Sequence, residues 1–94
     1  MIIRYSKHLL IRLKMRGIPK ELPRVIYNQA TMRYLDILSD IEVAVMKTIL
    51  HNKQRDVALF YRKDTSIIHL ITIHPLKTLQ KLHRIKSGRW QKHG

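Results

Sequence analysis

The sequence predicts an α+β domain whose helices stand apart from an antiparallel sheet, on three observations. Apolar residues recur at helical spacing in residues 7–16 and 76–85. Between Thr31 and Ile73 the pattern changes to aliphatic, β-branched and aromatic runs of strand type. The connections between those runs are too short for crossover helices, so neighbouring strands must run antiparallel. A length of 94 residues allows one core and no second domain. Residues 1–90 are expected to form that domain, with 91–94 as a loose tail.

Ile2, Ile3 and Tyr5 open the chain with short strand character, and Ser6 then stands at an N-cap position. A helix is predicted over Lys7 to Arg16 and ends at Gly17. Leu9, Leu10 and Leu13, with Ile11 and Met15, give it a broad apolar face, and Arg12 and Arg16 lie on another side. A second helix fits Lys20 to Asn28 with Leu22, Val25 and Ile26 inward, or starts at Pro23, because proline suits only a first helical turn. Four strands follow: Met32 to Leu38, Ile41 to Leu50, Arg55 to Lys63 and Ser66 to Ile73. In the second and fourth of these both alternation sets are largely apolar, which predicts cover on both faces of the sheet. His74 and Pro75 suit the N-cap and first position of a last helix, in which Leu76, Leu79, Leu82 and Ile85 face inward and Lys77, Lys81 and Arg84 form the opposite stripe.

The charge pattern points to the partner. The chain carries +13, from 19 Lys and Arg against 6 Asp and Glu, and all six acids lie between Glu21 and Asp64. Residues 1–20 and 65–94 hold six basic residues each and no acid, so +12 of the +13 sits in the two ends. Self-repulsion of that size favours a polyanionic partner, RNA before an anionic membrane or an acidic protein. With no cysteine there is neither disulfide framework nor thiolate site, as suits a reducing, cytoplasmic setting. No apolar run reaches 18 residues, and no membrane association is expected. The basic N-terminus has only a superficial likeness to a transit peptide, being poor in Ser and ending in the Gly17-Ile18-Pro19 stop.

Several stretches taken together resemble a known family. Tyr5-Ser6-Lys7-His8, Arg12 and Arg16-Gly17-Ile18, then Arg55-Asp56-Val57 through Tyr61-Arg62, Ile71-Thr72-Ile73-His74-Pro75-Leu76-Lys77 and Arg84-Ile85-Lys86-Ser87-Gly88-Arg89-Trp90 are similar to small prokaryotic proteins of unassigned function. Those proteins are grouped with BrnT-type toxins and, more distantly, with RelE- and ParE-like toxins. The likeness covers roughly residues 2–90. It implies a RelE-like fold: strand, helix, helix, a four-stranded antiparallel meander and a C-terminal helix. It also implies a toxin of a toxin-antitoxin pair, an endoribonuclease that cleaves messenger RNA without metal, often on the ribosome, until an acidic antitoxin covers it. A full RelE-type set of catalytic Lys, Arg and Tyr does not align onto this sequence. A non-catalytic nucleic-acid or ribosome-binding protein of the same fold, and a toxin-like protein acting on a protein target, therefore stand beside the nuclease.

For catalysis the candidates are His74, Arg55, Tyr61 and Arg62. An imidazole at His74, between strand end and helix start, is placed to exchange a proton near neutral pH, or simply to cap the helix. Tyr61 and Arg62 point to opposite faces of one strand, so only one of them can act unless a bulge intervenes, and Tyr61 shares its parity with Val57 and Leu59, as a core residue would. Arg55, at a strand start, suits either a phosphate or an ion pair with Asp56 or Glu42. For nucleic-acid binding the candidates are Lys77, Lys81, Arg84 and Arg89 with Trp90 as a stacking platform, together with His8, Arg12 and Arg16 on the first helix. The alternative place for Trp90 is folded back over the core. Engagement of four to six phosphates would give a log-log salt slope of roughly −3 to −4. No cofactor is expected, nor a metal: His69 and His74 lie five apart across a strand end, and no His-x3-His or acid-rich cluster occurs.

Overall fold

A computed structural model describes residues 2–93. The chain runs β1 (Ile2–Tyr5), α1 (Lys7–Arg16), α2 (Leu22–Gln29), β2 (Met32–Asp36), β3 (Ile41–Leu50), β4 (Lys53–Lys63), β5 (Ile67–Pro75), α3 (Gln80–Lys86) and β6 (Trp90–Lys92). This is an α+β architecture around one six-stranded mixed sheet of order β1-β5-β4-β3-β2-β6. Strands β2 to β5 pair consecutively and antiparallel, β6 adds antiparallel to β2, and β1 lies parallel to β5.

Local chemistry accounts for the helices and turns. The Ser6 hydroxyl accepts the Leu9 N–H at 2.9 Å and caps α1, and Gly17 closes it at φ 61°, a left-handed conformation open to glycine without a Cβ clash. Pro23 sits in the first turn of α2, where its missing N–H costs nothing. His51 and Asn52 both take positive φ between β3 and β4, which gives a two-residue hairpin whose twist matches the strands.

The sheet is covered on both faces, and consecutive buried residues in β3 (Val43, Ala44, Val45) and β4 (Val57, Ala58, Leu59) follow from that. One face packs Ala44, Val57, Leu59, Tyr61 and Ile73 under α1 and α2 through Leu9, Leu13 and Ile26. The other packs Val43, Val45, Ala58 and Phe60 with Tyr34, Leu76, Ile85 and Trp90. The apolar face of α1 is narrower than expected: Leu9 and Leu13 are buried, whereas Leu10, Ile11 and Met15 are exposed. Helix α1 packs on the sheet over β5, and one strip of side chains suffices for that.

Two expectations are corrected at the C-terminal end. His74 and Pro75 do not begin a helix; they end β5, in register with Ala58 and Val57. Pairing with β4 overrides the helical spacing of the leucines, and a proline that cannot donate is tolerated at a strand end. Leu76 N–H donates to the Asp56 carbonyl at 2.8 Å, Leu79 takes φ 67°, and α3 starts only at Gln80. The expected tail is a strand: Gln91 and Lys92 pair with Leu35 and Tyr34, and His93 N–H donates to the Arg33 carbonyl at 2.9 Å. Gly94 lies outside the described residues.

Asp36 holds β6 in place. Its side chain is 1% exposed and accepts the Trp90 indole N–H at 3.1 Å, Arg89 Nε at 3.2 Å, and the backbone N–H of Leu38 at 3.1 Å. Burial alone would raise this carboxyl, but the hydrogen bonds from Arg89, Trp90, Leu38 and Ser39 outweigh it and hold the group below its ordinary value. A carboxyl depressed on folding contributes stability that is present above its unfolded value, near pH 4, and is lost as pH falls through its folded value. Asp36→Ala leaves the buried indole N–H without a partner and should cost about 1–3 kcal/mol from that group alone. Thermal melts from pH 7 to pH 2 should show a lower midpoint for the variant at pH 7 and a smaller further loss in acid than for the parent chain.

Candidate functional site

Where β1 stops, β5 continues. Tyr5 pairs with Leu70, and beyond that point no strand among the described residues lies beside the outer edge of β5. Backbone carbonyls left there need donors. Ser6 Oγ donates to the Ile71 carbonyl at 2.7 Å, and Arg12 Nε, one and a half turns further along α1, donates to the Ile73 carbonyl at 2.8 Å. The same guanidinium reaches round the edge, and its Nη2 lies 2.7 Å from His74 Nδ1. A β-bulge accompanies this stretch: Phe60 faces Thr72 and Tyr61 faces Leu70, so Ile71 is the extra residue.

Around this corner lies an open cleft of about 380 Å³. Arg12 and Arg16 line it from α1, His74 from β5, and Lys77, Arg84 and Arg89 from the C-terminal segment. The two acid-free ends of the chain thus converge. Among the described residues Asp36 is the only carboxylate in the lining, and Arg89 already pairs with it. Five cations against one carboxylate leave the cleft at a formal +4. Its apolar part is made of Phe60, Pro75, Leu76 and the edge of Trp90.

His74 is half-buried and packs edge-on against the Phe60 ring, with centroids 5.7 Å apart. Burial lowers its basicity first, and the charges of Arg12, Arg16 and His8 lower it further. It is therefore a neutral imidazole at pH 7. A guanidinium can only donate, so Nδ1 accepts from Arg12 and the ring proton sits on Nε2. In this state the ring offers a donor and has no free lone pair. His74 is thus a strand residue whose accepting nitrogen is occupied, not the helix start that the sequence predicts.

The other expected catalytic residues do not join it. Tyr61 is 1% exposed on the opposite face of the sheet, and its hydroxyl accepts from Arg33 Nη1 at 3.0 Å. Burial raises this phenol above its ordinary value, more than Arg33 lowers it. Arg33, which the sequence did not single out, also donates to the Tyr27 carbonyl and lies over both tyrosine rings, so Tyr61 serves a buried cation-π cluster. Arg62 is exposed in register with His69, away from the cleft. Arg55 reaches the Leu76 carbonyl at 3.4 Å and lines a neighbouring groove.

Among the expected binding residues, Arg12, Arg16, Lys77, Arg84, Arg89 and Trp90 do line the cleft, whereas His8 and Lys81 do not. Lys81 turns to Asp56, with Nζ 3.5 Å from Oδ2, because the helix begins later than expected and places it on the far side. Trp90 is not a free platform: it is 3% exposed, bonded to Asp36, and stacked on Tyr34 with centroids 5.8 Å apart. Phe60 is the half-buried ring that the cleft offers instead. Asp36 went unnoticed, although an acid flanked by apolar strand residues is a sign of a buried, paired carboxylate. Among the described residues no three His, Asp or Glu side chains converge as metal ligands would, and no helix is long and apolar enough to cross a membrane.

No protein-family model, curated protein or solved structure matches this chain.

Because His74 is depressed on folding, the unfolded chain binds the extra proton as pH falls below about 6.5, and stability is lost from there down to the folded value. Arg12→Gln removes one of the charges holding His74 down and frees Nδ1. A pH titration of the His74 ring by NMR should show its midpoint below 6.5 in the parent chain and shifted upward in the variant. An unchanged midpoint would show that Arg12 does not control this ring.

Proposed function

We propose that this protein binds RNA by its phosphate backbone in the cleft between α1, the end of β5 and the C-terminal segment, without cleaving it. The observation that carries this reading is the convergence of Arg12, Arg16, Lys77, Arg84 and Arg89 on one open surface whose single carboxylate is already paired. Burial first, and the adjacent Arg16 charge second, lower Arg12 below its ordinary value, and a phosphate placed between the two guanidiniums would offset the second of these effects. The cleft has donors in excess and suits anionic oxygens.

Transfer of the ribose 2′-hydroxyl proton requires an acceptor within hydrogen-bond reach. His74 Nδ1 is engaged by Arg12, the Asp36 carboxylate is saturated with donors, and Arg and Lys side chains have no lone pair to offer while charged. These facts favour the non-catalytic reading over the messenger-cleaving toxin that the family resemblance implies. An acidic protein, such as an antitoxin, would compete with RNA for the same cations.

A short oligoribonucleotide engaging Arg12, Arg16, Lys77 and Arg84 should bind with a log-log salt slope of roughly −3. Arg16→Glu combined with Arg84→Glu should flatten that slope by about 1.4, the share of two phosphates at ~0.7 each. RNA incubated with the protein in EDTA, with and without translating ribosomes, should remain whole. Products that appear with the parent chain and vanish with His74→Ala would overturn the binding-only reading.

A further inference from the structure

Beside the cleft, on the far side of Leu76 and Lys77, lies a second and larger groove of about 610 Å³, and those two residues line both. Lys47 comes to it from β3, Lys53 and Arg55 from the start of β4, and Lys81 from α3. Its only carboxylate among the described residues, Asp56, is held by Lys81. Cationic side chains therefore line both grooves, from Arg16 and Arg84 in the first to Lys47, Lys53 and Arg55 in the second, with Lys77 common to the two. The composition of the second groove differs from that of the first in one respect: Leu79 and Leu82 stand in it 58% and 42% exposed among the lysines. Leu79 takes φ 67°, a backbone conformation rare for a branched apolar residue, and it stays turned out to solvent.

We infer that the two grooves form one track for a single RNA strand, with Lys47, Lys53 and Arg55 holding the phosphates that lie beyond Lys77 and the exposed leucines meeting unpaired base faces. This rests on the RNA-binding reading of the first cleft and extends it to a strand longer than that cleft can hold. A cationic rim alone would suit any polyanion, duplex included. Exposed apolar side chains within the rim favour a single strand, because a duplex keeps its base faces stacked inside. Lys81 takes no phosphate in this arrangement; it is a positioning residue that fixes α3 to the strand bearing Asp56.

The test compares labelled oligouridylates of about 4 and about 12 nucleotides, lengths within the range of single-strand sites, by fluorescence anisotropy at several salt concentrations in EDTA. For the parent chain the longer strand should show a slope steeper by about 1.5–2, the share of two to three added phosphates. Lys47→Gln with Lys53→Gln, both exposed positions, should remove most of that increment, leave binding of the short strand within about twofold, and leave the thermal midpoint within a few degrees of the parent's; glutamine is chosen because Lys47 pairs across the strands with Asp56 and a second carboxylate there would repel it. If the longer strand shows no steeper slope, or keeps it in the double variant, the track is overturned while the first cleft stands. If the short strand fails to bind at all, the RNA reading itself falls. Equal binding of poly-glutamate, lost in the same variant, would overturn the nucleic-acid assignment of the second groove in favour of an acidic protein.

Discussion

The mismatch in length between β1 and β5 is the constraint on which the surface chemistry depends. Four residues of β1 pair with the first part of a nine-residue β5, and among the described residues the rest of that edge is left with carbonyls but no neighbouring strand. An unpaired carbonyl in a half-buried position costs free energy comparable to a lost hydrogen bond, so donors have to be supplied from elsewhere. Helix α1 supplies them, from its N-cap hydroxyl and from Arg12. Satisfying the backbone thereby fixes a guanidinium at the corner of the sheet and sets the tautomer of His74. The same helix, extended by one turn, brings Arg16 to the cleft. A longer β1 would pair the edge and leave Arg12 free to point to water.

Legibility in the sequence followed the range of the interactions. Helix α1 was readable to its boundaries because Ser6 and Gly17 act within a few residues of the turns they cap. The strands β3 and β4 were readable because their apolar runs and short turn carry the signal locally. His74-Pro75-Leu76 misled, since the residues are compatible with a helix start and only β4, which is distant in the pattern though adjacent in space, keeps them extended. Strand β6 was missed for a similar reason. Three residues have no period, and what holds Trp90-Gln91-Lys92 is an acid 54 positions from the tryptophan. The site followed the same rule. Charge segregation marked the two ends from which Arg12, Arg16, Lys77, Arg84 and Arg89 come, because net charge is a property of segments, whereas the burial of Tyr61 and Trp90 and the pairing of Lys81 depend on partners that composition does not reveal.

Placement of the ends decides the electrostatics. Six of the basic residues precede residue 21 and six follow residue 64, and the fold sets α1 and the C-terminal segment on either side of the end of β5 instead of at opposite poles. Bringing like charges together raises the free energy of the compact state, so the hydrophobic layers on both faces of the sheet must exceed it. Desolvation next to Arg12 and Arg16 keeps the His74 ring from adding another charge. A protein selected for stability alone would disperse such charges or interleave acids among them. Their concentration on an open surface makes sense when a polyanion is part of the working state.

Asp36 and Asp56, the only acids among the described residues that line the two grooves, subtract from the charge of such a surface. Their positions give them another role. Helix α3 has no fully buried residue and is only seven residues long, so propensity and burial hold it weakly. Asp56 ties it to β4 through Lys81, and Asp36 ties the strand that follows it to β2 through Arg89 and Trp90. Each carboxylate is matched by a cation of the wall it secures, which leaves Arg12, Arg16, Lys77 and Arg84 unmatched around the cleft. A wall pinned at both ends presents its remaining cations in a fixed array, and a fixed array loses less side-chain freedom on meeting a chain of phosphates than a mobile one. The acids lower the formal charge and raise the order of what remains, and the second effect is the one a backbone-reading surface needs.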